Sequence, residues 1–249
     1  MTINTKTLAA IDIGTNAIRL FISNVEEYPT ETLFKKIAFL RVPIRLGEDV
    51  FTTGEIGQQK GKRLCETMQG FSYIMSAFNV ESYKAYATCA MREARNGKSV
   101  AEQIQKECDL NIEIISGTKE AETIFAGGMN EVVDDDKTYL YVDVGGGSTE
   151  VIVYSKSVKV EACSFPLGTV RMLNDAMDKE EMKHFKKWLK NITEKYTPDA
   201  IIGSGGNINK IHKLLNKKER ERITYQELDI LYEYMKSFNL EERERIMKK

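Results

Sequence analysis

The chain has little histidine and no paired cysteine. Its two histidines, His184 and His212, lie at the edges of apolar helical stripes in KEEMKHFKKWLKNI and INKIHKLLN. Histidine-based metal or triad chemistry therefore has almost nothing to work with. The four cysteines (Cys65, Cys89, Cys108 and Cys163) are far apart and make no CxxC pair. They read as reduced, mostly buried thiols, which excludes a disulfide or zinc framework. No apolar run reaches membrane-spanning length, and MTINTKTLAAIDIG lacks the zones of a signal peptide, so a cytoplasmic chain with no membrane partner is expected. A net charge of −1 provides no global field for nucleic acid, which is not expected as a partner. Nothing matches G-x-x-x-x-G-K-[ST], which excludes a P-loop enzyme.

What is present is an ordinary globular balance: 249 residues, 42% apolar and 29% charged. Strand and helix patterns alternate, which predicts an α/β protein with covered sheets. LAAIDIG and AIRLFISNV read as strands, as do IAFLRVPIRLG, ESYKAYATCAM, NIEIIS, VKVEACSF and DAIIG. Apolar residues from Ile56 to Phe78 recur at helical spacing, and SVAEQIQKECDL reads as a helix capped by Ser99. The stretch from Lys210 to Arg222 is basic but carries two acids, and a solvated helix face with its loop explains it.

An internal repeat sharpens this picture. AAIDIGTNAIRLFI (9–22) aligns without a gap on YVDVGGGSTEVIVY (141–154). Asp12 falls on Asp143, Gly14 on Gly145, and Arg19 on Glu150. Two similar domains with a cleft between them are predicted, over 1–117 and 118–249.

Three glycine loops stand out: DIGTN, DVGGGST and GSGGN (203–207). Turns of this kind present successive backbone N–H groups to an anion, and missing side chains let phosphate oxygens approach. Asp12, Gly14, Thr15 and Asn16 in the first loop are phosphate-binding candidates. So are Gly145, Gly146, Gly147 and Ser148 in the second, and Gly205 and Gly206 in the third. An acid beside a phosphate repels it unless a hard cation lies between them. Asp143 and Glu150, at the two ends of the GGG turn, are candidate ligands for Mg²⁺ or another divalent cation.

The ordered motifs AIDIGTNAIRL, ATCAMREARNG, ISGTKEAETIFAG, YVDVGGGSTEV, FPLGTVRM and IIGSGGNINKI resemble the exopolyphosphatase / guanosine pentaphosphate phosphatase (Ppx/GppA) family. That family is a branch of the actin-like superfamily, and the resemblance covers roughly residues 8–215. It implies two actin-like (ribonuclease H-like) domains with mixed sheets and an interdomain cleft. It also implies Mg²⁺-assisted removal of a terminal phosphate from polyphosphate, or of the 5′-γ-phosphate from pppGpp, and is compatible with a homodimer. By position, Glu120 matches the family's water-activating glutamate. Asp143 and Glu150 match the metal-associated carboxylates, Glu150 also counting with the catalytic group. Asn16, Arg92, Gly145, Gly146, Gly147, Ser148 and Thr169 match phosphate contacts. Lys119 stands where many relatives carry an acid, and Ala17 replaces a frequent serine. Two-domain relatives usually continue through another helix and strand beyond the point where this chain stops. A phosphotransferase or ATPase of the same superfamily, and a non-catalytic (p)ppGpp or polyphosphate sensor, are the rival readings.

Overall fold

The computed structural model describes residues 4–126, 134, 136–156, 158–218 and 221–248. The first half runs β1 (Asn4–Ile13), β2 (Ile18–Glu27), β3 (Thr32–Val42), α1 (Leu46–Thr53), α2 (Gln58–Ala77), β4 (Ser82–Ala87), α3 (Cys89–Glu93), α4 (Gly97–Cys108), β5 (Glu113–Ile114) and α5 (Gly117–Ala126). The second runs β6 (Thr138–Val144), β7 (Thr149–Ser155), β8 (Val158–Phe165), α6 (Thr169–Leu173), α7 (Lys179–Tyr196), β9 (Ala200–Ser204), α8 (Gly206–Leu214), α9 (Tyr225–Lys236) and α10 (Leu240–Lys248).

Each half is built on one mixed sheet. The first has strand order β3-β2-β1-β4-β5, and the second β8-β7-β6-β9. In both, the first three strands form an antiparallel meander and the next strand adds parallel to the first. A parallel addition needs a helical crossover, supplied in the first sheet by α1 and α2 and in the second by α6 and α7. The two sheets therefore repeat one topology, the second with four strands among the described residues. This is the mixed α/β, actin-like architecture that the duplicated motif predicts.

Alternating apolar residues create the cores. Ile11 and Ile13 of β1 and Ile18, Leu20 and Ile22 of β2 meet Leu64, Met68 and Phe71 of α2 and Ile104 of α4 in one cluster. Each such side chain, fully buried, is worth about 1.5–3 kcal/mol. The second sheet is covered on both faces: Tyr139, Tyr141 and Ile152 face Ile124 of α5, while Val151, Val153 and Phe165 face Phe185, Trp188 and Leu189 of α7.

Local pattern misleads at three places. The strand pattern of ATCAM ends at Ala87, and Cys89–Glu93 is a short helix. LGEDV begins a helix, with Arg45 in the left-handed region before it. Helix α4 starts at Gly97 rather than at Ser99, after Asn96, whose side chain instead bridges the N–H and carbonyl of Ile56. In each case a tertiary contact overrides the local preference.

Candidate active site

The two repeated turns are the same object in backbone terms. Asp12 is the cross-strand partner of Arg19, and Asp143 that of Glu150. The Gly14 N–H donates to the Ala17 carbonyl at 3.2 Å, and the Gly145 N–H to the Ser148 carbonyl at 2.9 Å. Each turn is also anchored to the helix that follows its meander. The Thr15 carbonyl accepts from Gly47 N (2.9 Å) and the Asn16 carbonyl from Arg45 N (2.9 Å). The Gly145 carbonyl accepts from Thr169 N (3.1 Å), and the Gly146 carbonyl from Val170 N (2.8 Å) and Arg171 N (3.3 Å).

These anchors fix the peptide planes. In a trans peptide the C=O and the following N–H point in opposite directions. Holding the carbonyls of Gly145 and Gly146 toward α6 turns the N–H groups of Gly146 and Gly147 away from it. Among the described residues neither N–H makes a hydrogen bond. A run of outward N–H groups of this kind can hold an anion.

The three glycines have different reasons. A Cβ on Gly147 would lie 2.5 Å from Cys89 Sγ, 2.8 Å from Phe51 Cζ and 2.9 Å from Thr15 Oγ1. One on Gly146 would meet Thr15 Cβ, Thr15 Cγ2 and Val170 Cγ2, each at 3.1 Å. A Cβ on Gly145 would meet only the Ser148 carbonyl, at 3.2 Å. The side chain of Thr15 in the first turn thus occupies the space left by the missing side chains of the second. The two turns meet face to face, and the first half of the chain is part of what comes close to this backbone.

Four carboxylates converge beside this junction. Glu150 is 2% exposed and accepts from Ser164 Oγ at 2.9 Å. Burial raises the proton affinity of Glu150 and of Asp143; Ser148 and Ser164 oppose it at the first, Arg19 at the second. Glu120 is pushed up to about 8, first by burial and then by the charge of Glu150, with Arg92 opposing. Arg92 Nη1 lies 3.5 Å from Glu120 Oε2, an ion pair, and donates to the Ile115 carbonyl at 2.8 Å. Asp12 forms an ion pair with Arg19, both about half exposed.

Among the described residues no lysine or arginine pairs with Asp143 or Glu150, and no cluster of three or more acidic, histidine or cysteine side chains is arranged to hold a metal. A buried Glu150 beside a half-buried Asp143, neither of them in an ion pair among the described residues, fits a hard divalent cation that takes its remaining ligands from water or phosphate oxygens. They do not form an all-protein cage.

The other candidates are placed as follows. Asn16 is exposed at the tip of the first turn. Thr169 directs its hydroxyl at the Gly145 carbonyl, 3.4 Å away. Gly205 sits beside Asp143, where a Cβ would approach Oδ1 to 2.7 Å, and its φ of +96° favours glycine; Gly206 is open. Away from the site, in the basic stretch, Lys217 pairs with Glu221 at 3.2 Å and Glu227 at 2.7 Å, which makes it a structural tie.

Sequence reasoning missed Arg171, Glu93 and Phe51. The Arg171 guanidinium is buried, donates to the Gly147 carbonyl from Nε at 2.6 Å and to Glu93 from Nη2 at 2.5 Å, and stacks 4.0 Å from the Phe51 ring. The only signal was an arginine inside FPLGTVRM, a motif otherwise apolar or turn-forming.

Fold and site together define an actin-like protein with two facing glycine turns and an acidic, cation-ready junction. The Ppx/GppA phosphatase family model matches residues 22–248, and the chain belongs to that family. It is 30% identical over 215 residues to the bifunctional 3-dehydroquinate synthase/phosphatase of Fusobacterium nucleatum, covering 80% of this chain and 32% of that protein. Exopolyphosphatase 1 of Mycobacterium tuberculosis is 24% identical over 225 residues, covering 83% of this chain and 63% of that one. The chain thus spans less than two thirds of the length of either. The crystal structure of the Aquifex aeolicus Ppx/GppA family member superposes with a TM-score of 0.76 at 25% identity, over 98% of this chain and 83% of that one.

Proposed function

We propose that the chain is a phosphoanhydride hydrolase that releases the terminal phosphate of inorganic polyphosphate, with the 5′-γ-phosphate of pppGpp as the alternative substrate. The observation that carries this reading is Glu120: a half-buried acid raised to about 8, beside Arg92 and the buried Glu150. Family membership and the exopolyphosphatase among the relatives support the substrate class. We place the domain boundary at 117/118, because α5 packs on β7 and β8 of the second sheet.

In this reading the terminal phosphate lies beside the junction of the two turns. The outward N–H groups of Gly146 and Gly147 receive its oxygens, and Arg92 adds positive charge. Asp143 and Glu150 would hold the divalent cation, which would supply charge neutralisation on the phosphate. Glu120, once ionised, orients a water in line with the scissile bond and accepts its proton as the new P–O bond forms; the shortened chain leaves as the other product. Catalysis is then mostly positioning and electrostatics. With Mg²⁺ present, phosphate release should be measured from long polyphosphate, short polyphosphate, pppGpp and ATP. Glu120→Gln is expected to abolish release while retaining substrate binding, and unchanged turnover in that variant would overturn the assignment.

A further inference from the structure

Gly147 is the third glycine of the turn, and its carbonyl is held differently from the other two. Backbone N–H groups of α6 hold the carbonyls of Gly145 and Gly146. Among the described residues, the Gly147 carbonyl accepts only from the side chain of Arg171, at 2.6 Å. By the geometry of a trans peptide, that bond fixes the direction of the Ser148 N–H. Arg171, carried by α6 in the same half of the chain as the turn, thus fixes a third N–H of that turn, and it is itself tied to the other half. Its Nη2 reaches Glu93 at 2.5 Å and Cys89 Sγ at 3.5 Å, and its plane lies on Phe51, all three in the first half of the chain. Glu93 is followed back along α3 by Arg92, which pairs with Glu120. One short helix therefore presents an arginine to the candidate base and a glutamate to the strut under the turn.

We propose that Arg171 is a positioning residue: it orients the Ser148 N–H toward the phosphate oxygens and ties that orientation to the placement of Arg92 and Glu120. This rests on the anion-binding role proposed for the turn. A guanidinium suits the task because its planar fork can donate in two directions while stacking on a ring. An ammonium keeps the charge opposite Glu93 but cannot make the same divergent pair of bonds.

The test uses the full chain and reads tripolyphosphate affinity by calorimetry, with and without Mg²⁺, next to phosphate release and thermal stability. Arg171→Lys is expected to weaken tripolyphosphate binding and to lower kcat/KM about tenfold to a hundredfold, the cost of a small misplacement of binding groups. Glu93→Gln keeps a hydrogen bond to Arg171 and is expected to show a smaller loss in both. If both variants bind tripolyphosphate as wild type does, whatever happens to their Tm, Arg171 is only a structural brace and the proposal falls. A wild-type chain that binds tripolyphosphate but releases no phosphate removes the hydrolase reading. The affinity comparison then still decides the role of Arg171. Should Arg171→Lys fail to fold, Glu93→Gln decides on the same readout.

Discussion

In the first hairpin Asp12 faces Arg19 across the strand pair, and in the second Asp143 faces Glu150 at the matching positions. The backbones are equivalent down to the turn hydrogen bond, so the difference isolates the effect of one charge. The compensated pair is about half exposed, while Glu150 is 2% exposed and accepts from Ser164. Burying uncompensated acids raises their proton affinity and costs stability, and a cation lowers that cost. The two copies thus differ: one hairpin pairs its own charges, and the other leaves two acids side by side. A second asymmetry is steric: Thr15 and Asn16 carry side chains where Gly146 and Gly147 carry none, so one turn fits into the other.

The strongest way to break the comparison is to make the second hairpin like the first. Glu150→Arg would pair with Asp143 as Arg19 pairs with Asp12, and would remove a cation ligand. Phosphate release is expected to fall at least about a thousandfold, in the range of losing a main electrostatic contact at the reacting group. Binding of Mn²⁺, followed by paramagnetic relaxation, should disappear with it. Retained metal binding would show that Asp143 suffices.

The steric half of the comparison is tested at Gly147. Alanine there places a methyl 2.5 Å from Cys89 Sγ, whereas alanine at Gly145 meets only a carbonyl at 3.2 Å. Gly147→Ala is expected to cost roughly 1–3 kcal/mol by overpacking, read as a lower Tm. Gly145→Ala should change Tm much less. Equal effects would mean that the junction opens freely to accept the methyl.

A smaller effect, of opposite sign, follows from Glu120. Its folded-state affinity for a proton is raised from 4.5 to about 8, so the folded chain holds that proton longer than the unfolded one. The stability this contributes is fully present below pH 4.5 and is lost as pH rises toward 8. Glu120→Gln removes the penalty, so at pH 8.5 without metal it should be more stable than wild type, read as a higher Tm. The gain should vanish near pH 4. A variant less stable than wild type at pH 8.5 would mean that the carboxylate is stabilised where it sits.

Much of this was legible in the sequence because it repeats. Matching aspartates, a glycine two residues on, and a charged residue seven residues on fix strand pairing in both copies. With the alternation of Ile11, Ile13, Ile18 and Leu20, that was enough for the mixed α/β class and for two matching hairpins. What stayed hidden is what depends on three-dimensional contact. Arg171 was marked only by its place in FPLGTVRM, since its partners Glu93, Phe51 and Gly147 come from separate elements. The reason for Gly147 was hidden in the same way: the sequence shows an interrupted strand, and only the fold shows Cys89 and Thr15 filling the gap. The misread stretches at Cys89 and Leu46 begin helices that pack at this junction, where local preference yields to contact.

The smallest change sharpens the charge comparison from the other side. Arg19→Met leaves Asp12 without its partner, yet that pair is 42% and 44% exposed, so water already screens it. Exposed ion pairs are worth about 0–1 kcal/mol, and Tm should move by no more than that implies. Arg19 also opposes the raised proton affinity of Asp143 across the junction. Removing it takes positive charge from beside the proposed phosphate site, so tripolyphosphate should bind a few-fold more weakly at low salt, with the difference shrinking as salt screens it. A large drop in Tm with unchanged affinity would reverse this ranking, making the first hairpin's pair a structural element and leaving the second hairpin as the sole source of charge selectivity.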